Sequence, residues 1–191
     1  MKLLFGLFFL LNILVLNFLA QAPPPPAPLI YSAPEKSLLK DYVSPDKSFQ
    51  LTFAGAPQVS EKQTETQTFT TYLTYRAGSN SFVTVVEYTS VIDEEKRDKI
   101  YESVKNNYLK DPKTKLEAEK EISANGIAGK EFSFLQDYHY LRLRIIVSGK
   151  RVYGIASDVT NWHILTKYNT EKVKEFNDET DRFFNSFKLL K

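Results

Sequence analysis

Two histidines, His139 and His163, are the only imidazoles in the chain, and each is a candidate general base if folding brings a carboxylate and a nucleophile beside it. Asp137 and Asp158 are the carboxylates considered for that role, with one of the many Ser or Thr hydroxyls as nucleophile. Neither histidine belongs to a His-x-His or His-x-x-x-His pair, so metal binding through imidazole is not expected. The plainer reading sets His139 on a half-buried strand and His163 in a loop beside Trp162, both hydrogen-bonded and inert. Glycine numbers only seven, and no Gly-x-Gly-x-x-Gly, Gly-x-Ser-x-Gly or phosphate-cradling loop occurs, so no cofactor is expected. Gly126-Ile127-Ala128-Gly129 reads as a hairpin turn. Asp93-Glu94-Glu95 is an acidic run at a helix start, where it favours the helix dipole without any calcium. No catalytic, cofactor or metal residues are therefore assigned.

One surface pattern stands out. Tyr138, Tyr140, Arg142 and Arg144 alternate with Leu141, Leu143 and Ile145, which puts the aromatic and cationic side chains on one face of a strand and the aliphatic ones on the other. Aromatic residues and arginine are what interfaces favour, so these four form a candidate interaction surface. The competing reading is a solvated sheet face with cross-strand pairing to Glu131 or Asp137. The aliphatic side is core on either reading.

The elements that position these residues follow a short-period pattern. Phe49, Leu51 and Phe53 alternate up to the turn signal Ala54-Gly55-Ala56-Pro57, and Gln67 to Arg76 is a run of sheet formers. Gly78-Ser79-Asn80 turns the chain into a strand over Ser81–Val91 that is apolar on both faces. Asp93 caps a helix to about Lys110, with Ile100, Val104 and Tyr108 four residues apart. Strands are expected over Leu116–Ser123, Gly129–Gln136, Tyr138–Ser148 and Arg151–Val159, with turns at Asn125-Gly126 and Gly149-Lys150; Asp137 either interrupts a long strand or ends one. Thr170 then caps a helix to about Phe187 bearing the apolar stripe Val173, Phe176, Phe183, Phe184 and Phe187. The expected class is α+β, a largely antiparallel sheet with helices packed on it.

Ahead of this domain, Met1-Lys2 and the apolar run Leu3 to Ala20 end in Ala20-Gln21-Ala22, the layout of a secretory signal over residues 1–22. Pro23 directly after the cut is poorly accepted by signal peptidase, and the run is long enough to span a bilayer, so an uncleaved anchor through residues 3–20 stays open. Six of the nine prolines lie in Pro23 to Pro34, an extended spacer that leads through residues 23–44 to a domain over 45–191. Glu35–Pro45 is read as partly helical through Leu38-Leu39. An exported destination, periplasmic or extracellular, follows.

Composition narrows the function. Of 191 residues, 25 are basic and 23 acidic, and Lys2 is the only charged residue of the leader, so the remainder carries 24 against 23. Lys and Glu alternate, as in Glu117 to Glu121, rather than forming the basic face that nucleic acid requires. No cysteine is present, which excludes disulfides, thiolate catalysis, Cys-based zinc and lipid attachment at Cys.

Several stretches together carry a resemblance. Ser44-Pro45-Asp46-Lys47-Ser48-Phe49 leading into Phe53-Ala54-Gly55-Ala56-Pro57, then Gly129-Lys130-Glu131-Phe132, Gly149-Lys150-Arg151-Val152-Tyr153 and Phe183-Phe184-Asn185-Ser186-Phe187-Lys188-Leu189 resemble the layout of PsbP-like domains. The resemblance implies an antiparallel sheet sandwiched between helices. It also implies a range of roles among which fold alone does not choose: plant relatives are extrinsic subunits of photosystem II, another branch binds the small GTPase Ran, and many exported bacterial members have no assigned role, the last being the group expected for this chain. No metal, calcium or chloride ligands transfer residue by residue. The leading expectation is a non-catalytic exported domain that binds a protein partner or stabilises an assembly. A carrier of an apolar small molecule in a sheet–helix cavity is the alternative, and a hydrolytic enzyme built on His139 or His163 comes third.

Overall fold

The computed structural model describes residues 38–76 and 78–190. The leader and most of the spacer, residues 1–37, lie outside the described residues. Ten strands and three helices follow in the order β1 (Leu39–Val43), β2 (Phe49–Ala54), β3 (Gln58–Gln63), β4 (Gln67–Arg76), β5 (Ser79–Tyr88), α1 (Glu94–Tyr108), β6 (Thr114–Ala124), β7 (Ile127–Gln136), β8 (His139–Ser148), β9 (Arg151–Val159), α2 (Trp162–Tyr168), α3 (Thr170–Ser186) and β10 (Lys188–Leu189). Seven strands form one sheet in the order β3-β4-β5-β9-β8-β7-β6, and β1-β2-β10 form a second. Every pairing is antiparallel. The fold is α+β, as the sequence predicts.

The turns set the register. Asn125 and Gly126 both have positive φ, 53° and 80°, the backbone that a two-residue turn needs to match the twist of β6 and β7. Asp137 at φ 48° ends β7, so the candidate long strand is two strands joined at Asp137-Tyr138. In α1, the Asp93 carboxylate accepts from the Lys96 amide, the expected cap.

Each face of the large sheet has its own core. On one face, Ile100, Tyr101 and Val104 of α1 pack on Phe132, Phe134, Leu143 and Ile145. On the other, Phe183 and Phe184 of α3, with Phe49, Leu51 and Phe53 of the small sheet, cover Val83, Ile146, Tyr153 and Ile155. Phe49, Leu51 and Phe53 are fully buried, each worth about 1.5–3 kcal/mol. The aliphatic side of β8 is core, as expected.

Four local expectations differ. Of the stretch read as part-helical, residues 35–37 lie outside the described residues and Leu38 is in a 3₁₀ turn, but Leu39–Val43 is a strand, because its amides and carbonyls pair with β2 from Leu39↔Ala54 to Val43↔Gln50. Gln58–Gln63 is an edge strand where only a turn and connection were expected, held by β4 alone on one side. Asn169, not Thr170, caps α3, its side chain accepting from the Lys172 amide. His163 lies in a short helix rather than a loop.

Candidate functional site

The strand β8 delivers Tyr140, Arg142 and Arg144 to the face covered by α2 and α3, while Tyr138 precedes the strand in its turn. The paired strand β7 places Glu131 opposite Arg144, and Ser133 opposite Arg142. Arg142 donates from Nε and Nη2 to Glu131 Oε1 at 3.2 and 2.7 Å, and from Nη2 to Asp181 of α3 at 2.7 Å. Arg144 donates from Nε to Glu131 Oε2 at 2.6 Å and from Nη1 to Asn185 at 3.2 Å. Lys120 of β6 completes the set, 3.1 Å from Glu131 Oε1. Both guanidinium groups also sit over the Phe184 ring, at 5.4 and 4.6 Å.

Glu131 is 2 % exposed. Burial pushes its carboxyl upward, but the bonds from Arg142 and Arg144 outweigh that and hold it below the ordinary carboxylate range. Arg142 is buried too, at 6 % exposure, so the two arginines of the candidate surface are turned into the seam between sheet and α3 and spent on internal ion pairs. The pairing to Glu131 weighed in the sequence is present. Beside the network a cleft of about 170 Å³ opens, lined by Ala118, Lys120, Glu131, Ser133, Tyr140, Arg142 and Asn177. Six of its seven lining residues, all but Ala118, carry a polar or charged group.

The other two residues of the pattern diverge. Tyr140 stacks on Trp162 at 4.2 Å between ring centres and 10° between planes, and Phe176 packs edge-on against both. Tyr138 is 60 % exposed and its ring lies 5.3 Å from that of His163. The Trp162 amide donates to the Tyr138 carbonyl at 2.9 Å, tying the start of α2 to this turn. Within α2, Leu165 is buried, while Ile164 and Tyr168, four residues apart, share an exposed side at 38 % and 72 %. An exposed aromatic and apolar end of the domain results, made of Tyr138, His163, Ile164 and Tyr168, with Lys167 Nζ over the Tyr168 ring at 4.9 Å. Ile164 and Tyr168 were missed in the sequence because the segment was read as a loop; the three-residue spacing of Trp162 and Leu165 is the signal that marks a helix and its inner side.

His139 does find a carboxylate. Its Nδ1 lies 3.3 Å from Asp158 Oδ2, across β8 and β9 on the α1 side of the sheet. The Asp158 bond raises the imidazole pKa from its ordinary value, against the opposing effect of burial. Among the described residues no Ser or Thr hydroxyl hydrogen-bonds to either histidine, and no group of three or more His, Asp or Glu could hold a metal ion. Among the described residues, no helix is long and apolar enough to cross a membrane.

No family model matches the chain, and no curated protein matches it. Solved structures do. A crystal structure from Bacteroides thetaiotaomicron superposes over 81 % of this chain at 11 % identity and a TM-score of 0.42, and this chain spans about half of it, 49 %. The Saccharomyces cerevisiae Ran-binding protein Mog1p is similar over 79 % of this chain and 95 % of its own, at 11 % identity and a TM-score of 0.48. Cyanobacterial PsbP (CyanoP) from Synechocystis covers 89 % of this chain and 99 % of its own at 8 % identity, with a TM-score of 0.54. At such identity the likeness speaks for architecture alone. The CyanoP superposition over nearly all of both chains makes the fold PsbP-like.

Proposed function

We propose that the protein is a non-catalytic interaction module that binds a protein partner through the end formed by Tyr138, His163, Ile164 and Tyr168. The observation that carries this reading is the exposure of two tyrosines, 60 % and 72 %, on a rigid base formed by the Tyr140–Trp162–Phe176 stack. Tyrosine supplies large contact area at small entropic cost, which is why it recurs at interface centres. Within the original four-residue surface, Tyr138 is the residue that meets the partner. Tyr140, Arg142 and Arg144 hold its platform from inside. The matching partner surface is an apolar ridge with an acidic group opposite Lys167. Residues 1–22 serve export, cleaved or retained as an anchor, and the proline-rich spacer presents the domain to its partner.

The test is crosslinking and recovery of partners from the native host. Three baits are compared: the parent, a Tyr138→Ser/Tyr168→Ser double variant, and Val59→Ser on the remote edge strand β3. A protein recovered with the parent and Val59→Ser but not with the double variant supports the assignment. A partner retained by all three puts the interface elsewhere, and none with any bait overturns the reading.

A further inference from the structure

The cleft beside the Glu131 network has a chemistry of its own. Glu131, its buried carboxylate, has about four acceptor positions when ionised. Four donors reach it: Arg142 Nε and Nη2, Arg144 Nε and the Lys120 ammonium. Three of them converge on Oε1 and one on Oε2, so most of the carboxylate's acceptor capacity is taken, and what the cleft still offers an incoming molecule is chiefly donors: the Lys120 ammonium, the Ser133 and Tyr140 hydroxyls, the Asn177 amide and the Arg142 edge. Arg142 Nη1 takes part in none of its ion-pair contacts to Glu131 and Asp181.

Charge points the same way. Arg142, Arg144 and Lys120 outnumber Glu131 and Asp181 by one, so the cluster is left with one positive charge. Size sets the ligand class: 170 Å³ holds about five waters at roughly 30 Å³ each, well below the roughly 300–1,000 Å³ of drug-sized pockets. Lys120, with a side chain 55 % exposed, stands at the mouth, whereas Arg142 is fixed between two carboxylates at the back. A donor set held rigid before the ligand arrives loses little on binding.

We infer that this cleft is a binding site for a small oxyanion, a short-chain carboxylate or a phosphate, gripped by Lys120, Ser133, Tyr140, Arg142 and Asn177. The site is separate from the exposed tyrosine end and does not depend on the protein-binding reading. Tyr140 links it to the chain's one tryptophan, Trp162, through their stacked rings, so occupation of the cleft is visible in Trp162 emission.

Calorimetric titration of the full-length chain with sodium succinate, sodium phosphate and, as a cationic control, methylammonium chloride tests this at matched ionic strength. Saturable binding of at least one of the two anions is expected, with the tighter of the two identifying the source chemistry. Asn177→Asp places a carboxylate of the protein's own in the cleft, and Lys120→Glu reverses the charge at its mouth; each is expected to weaken binding about tenfold or more. Circular dichroism melts of both variants report whether the fold is kept. Absence of saturable binding by either anion at millimolar concentration overturns the inference, as does equal binding by folded variants or equal binding of methylammonium.

Discussion

Arg142 reaches from β8 to β7 and gives both Nε and Nη2 to one oxygen of Glu131, at 3.2 and 2.7 Å, in a position where the carboxylate is 2 % exposed. Removing one member of such a buried set leaves uncompensated charge, which costs about 3–5 kcal/mol. Glu131→Gln is therefore expected to lower unfolding stability by about 3 kcal/mol in urea titration. Lys99→Gln, which removes an exposed helical pair with Glu95, is expected to leave stability almost unchanged, because solvent screens the pair. Equal small losses in the two would mean that water replaces the Glu131 carboxylate.

The same carboxylate makes the fold acid-sensitive. Burial raises the Glu131 pKa, the Arg142 and Arg144 bonds lower it further, and the folded value ends below the ordinary 4.5. In the unfolded chain the group returns to that ordinary value and takes up its proton first as pH falls. Its stabilisation is complete above the unfolded pKa and is lost as pH drops through the folded one. Stability should fall below about pH 4.5 more steeply in the parent than in Glu131→Gln. Parallel curves from pH 6 to 3, about the range in which carboxylates titrate, would remove Glu131 as the cause.

How much of this was legible follows from which forces are local. The β6–β9 hairpins could be read because alternation and the Asn125-Gly126 turn act within a few residues. Asp93 could be read as a cap because its partner, the Lys96 amide, is three residues on. β1 and β3 could not, since Leu39–Val43 and Gln58–Gln63 lie mostly in water and carry little apolar alternation. Their existence is decided by neighbours, β2 and β4. The shared face of Tyr140, Arg142 and Arg144 was visible, but its burial depends on Asp181 and Asn185, some 40 positions away in α3. A period of two assigns faces; it does not say what covers them.

His139 gives the opposite pH response. The bond to Asp158 raises its folded pKa, outweighing burial, so the protonated form stabilises the fold fully below the unfolded value of about 6.5. That contribution is lost as pH rises through the folded pKa. Proton NMR of the His139 ring should give a midpoint above 6.5, lowered by Asp158→Asn. His139→Gln should flatten the decline in stability on the alkaline side of that value. A midpoint unmoved by Asp158→Asn would break the link.

Gly129 is required for contact rather than for a turn. It sits in β7, and a Cβ there would meet the Ile145 carbonyl oxygen at 2.6 Å, with Ile146 and Ile122 side chains at 3.3 and 3.4 Å. Backbone cannot swing aside, so Gly129→Ala is expected to cost about 1–3 kcal/mol. Gly154→Ala is the comparison, its nearest neighbour being the Ile145 side chain at 3.6 Å, an ordinary contact. A change within about 0.5 kcal/mol is expected there. Similar effects at both positions would refute the close approach.

Thr180 on α3 runs against the logic of its surroundings. It is 0 % exposed, and its Oγ1 has no hydrogen-bond partner among the described residues, although Arg142 and Asp181 pair one residue further along the helix. A buried hydroxyl left unpaired costs about 1–3 kcal/mol, whereas an apolar group of the same shape carries no such penalty. Valine is that group, and its second methyl fills the volume of the hydroxyl. Thr180→Val is therefore expected to raise stability by about 1 kcal/mol, an uncommon sign for a core substitution. Thr180→Ser keeps the hydroxyl and removes the methyl, so it should lose about 1 kcal/mol. The pair of variants separates polarity from packing. A loss in the valine variant would show that the hydroxyl is bonded after all, with a buried water as the natural partner in a site that has room for one.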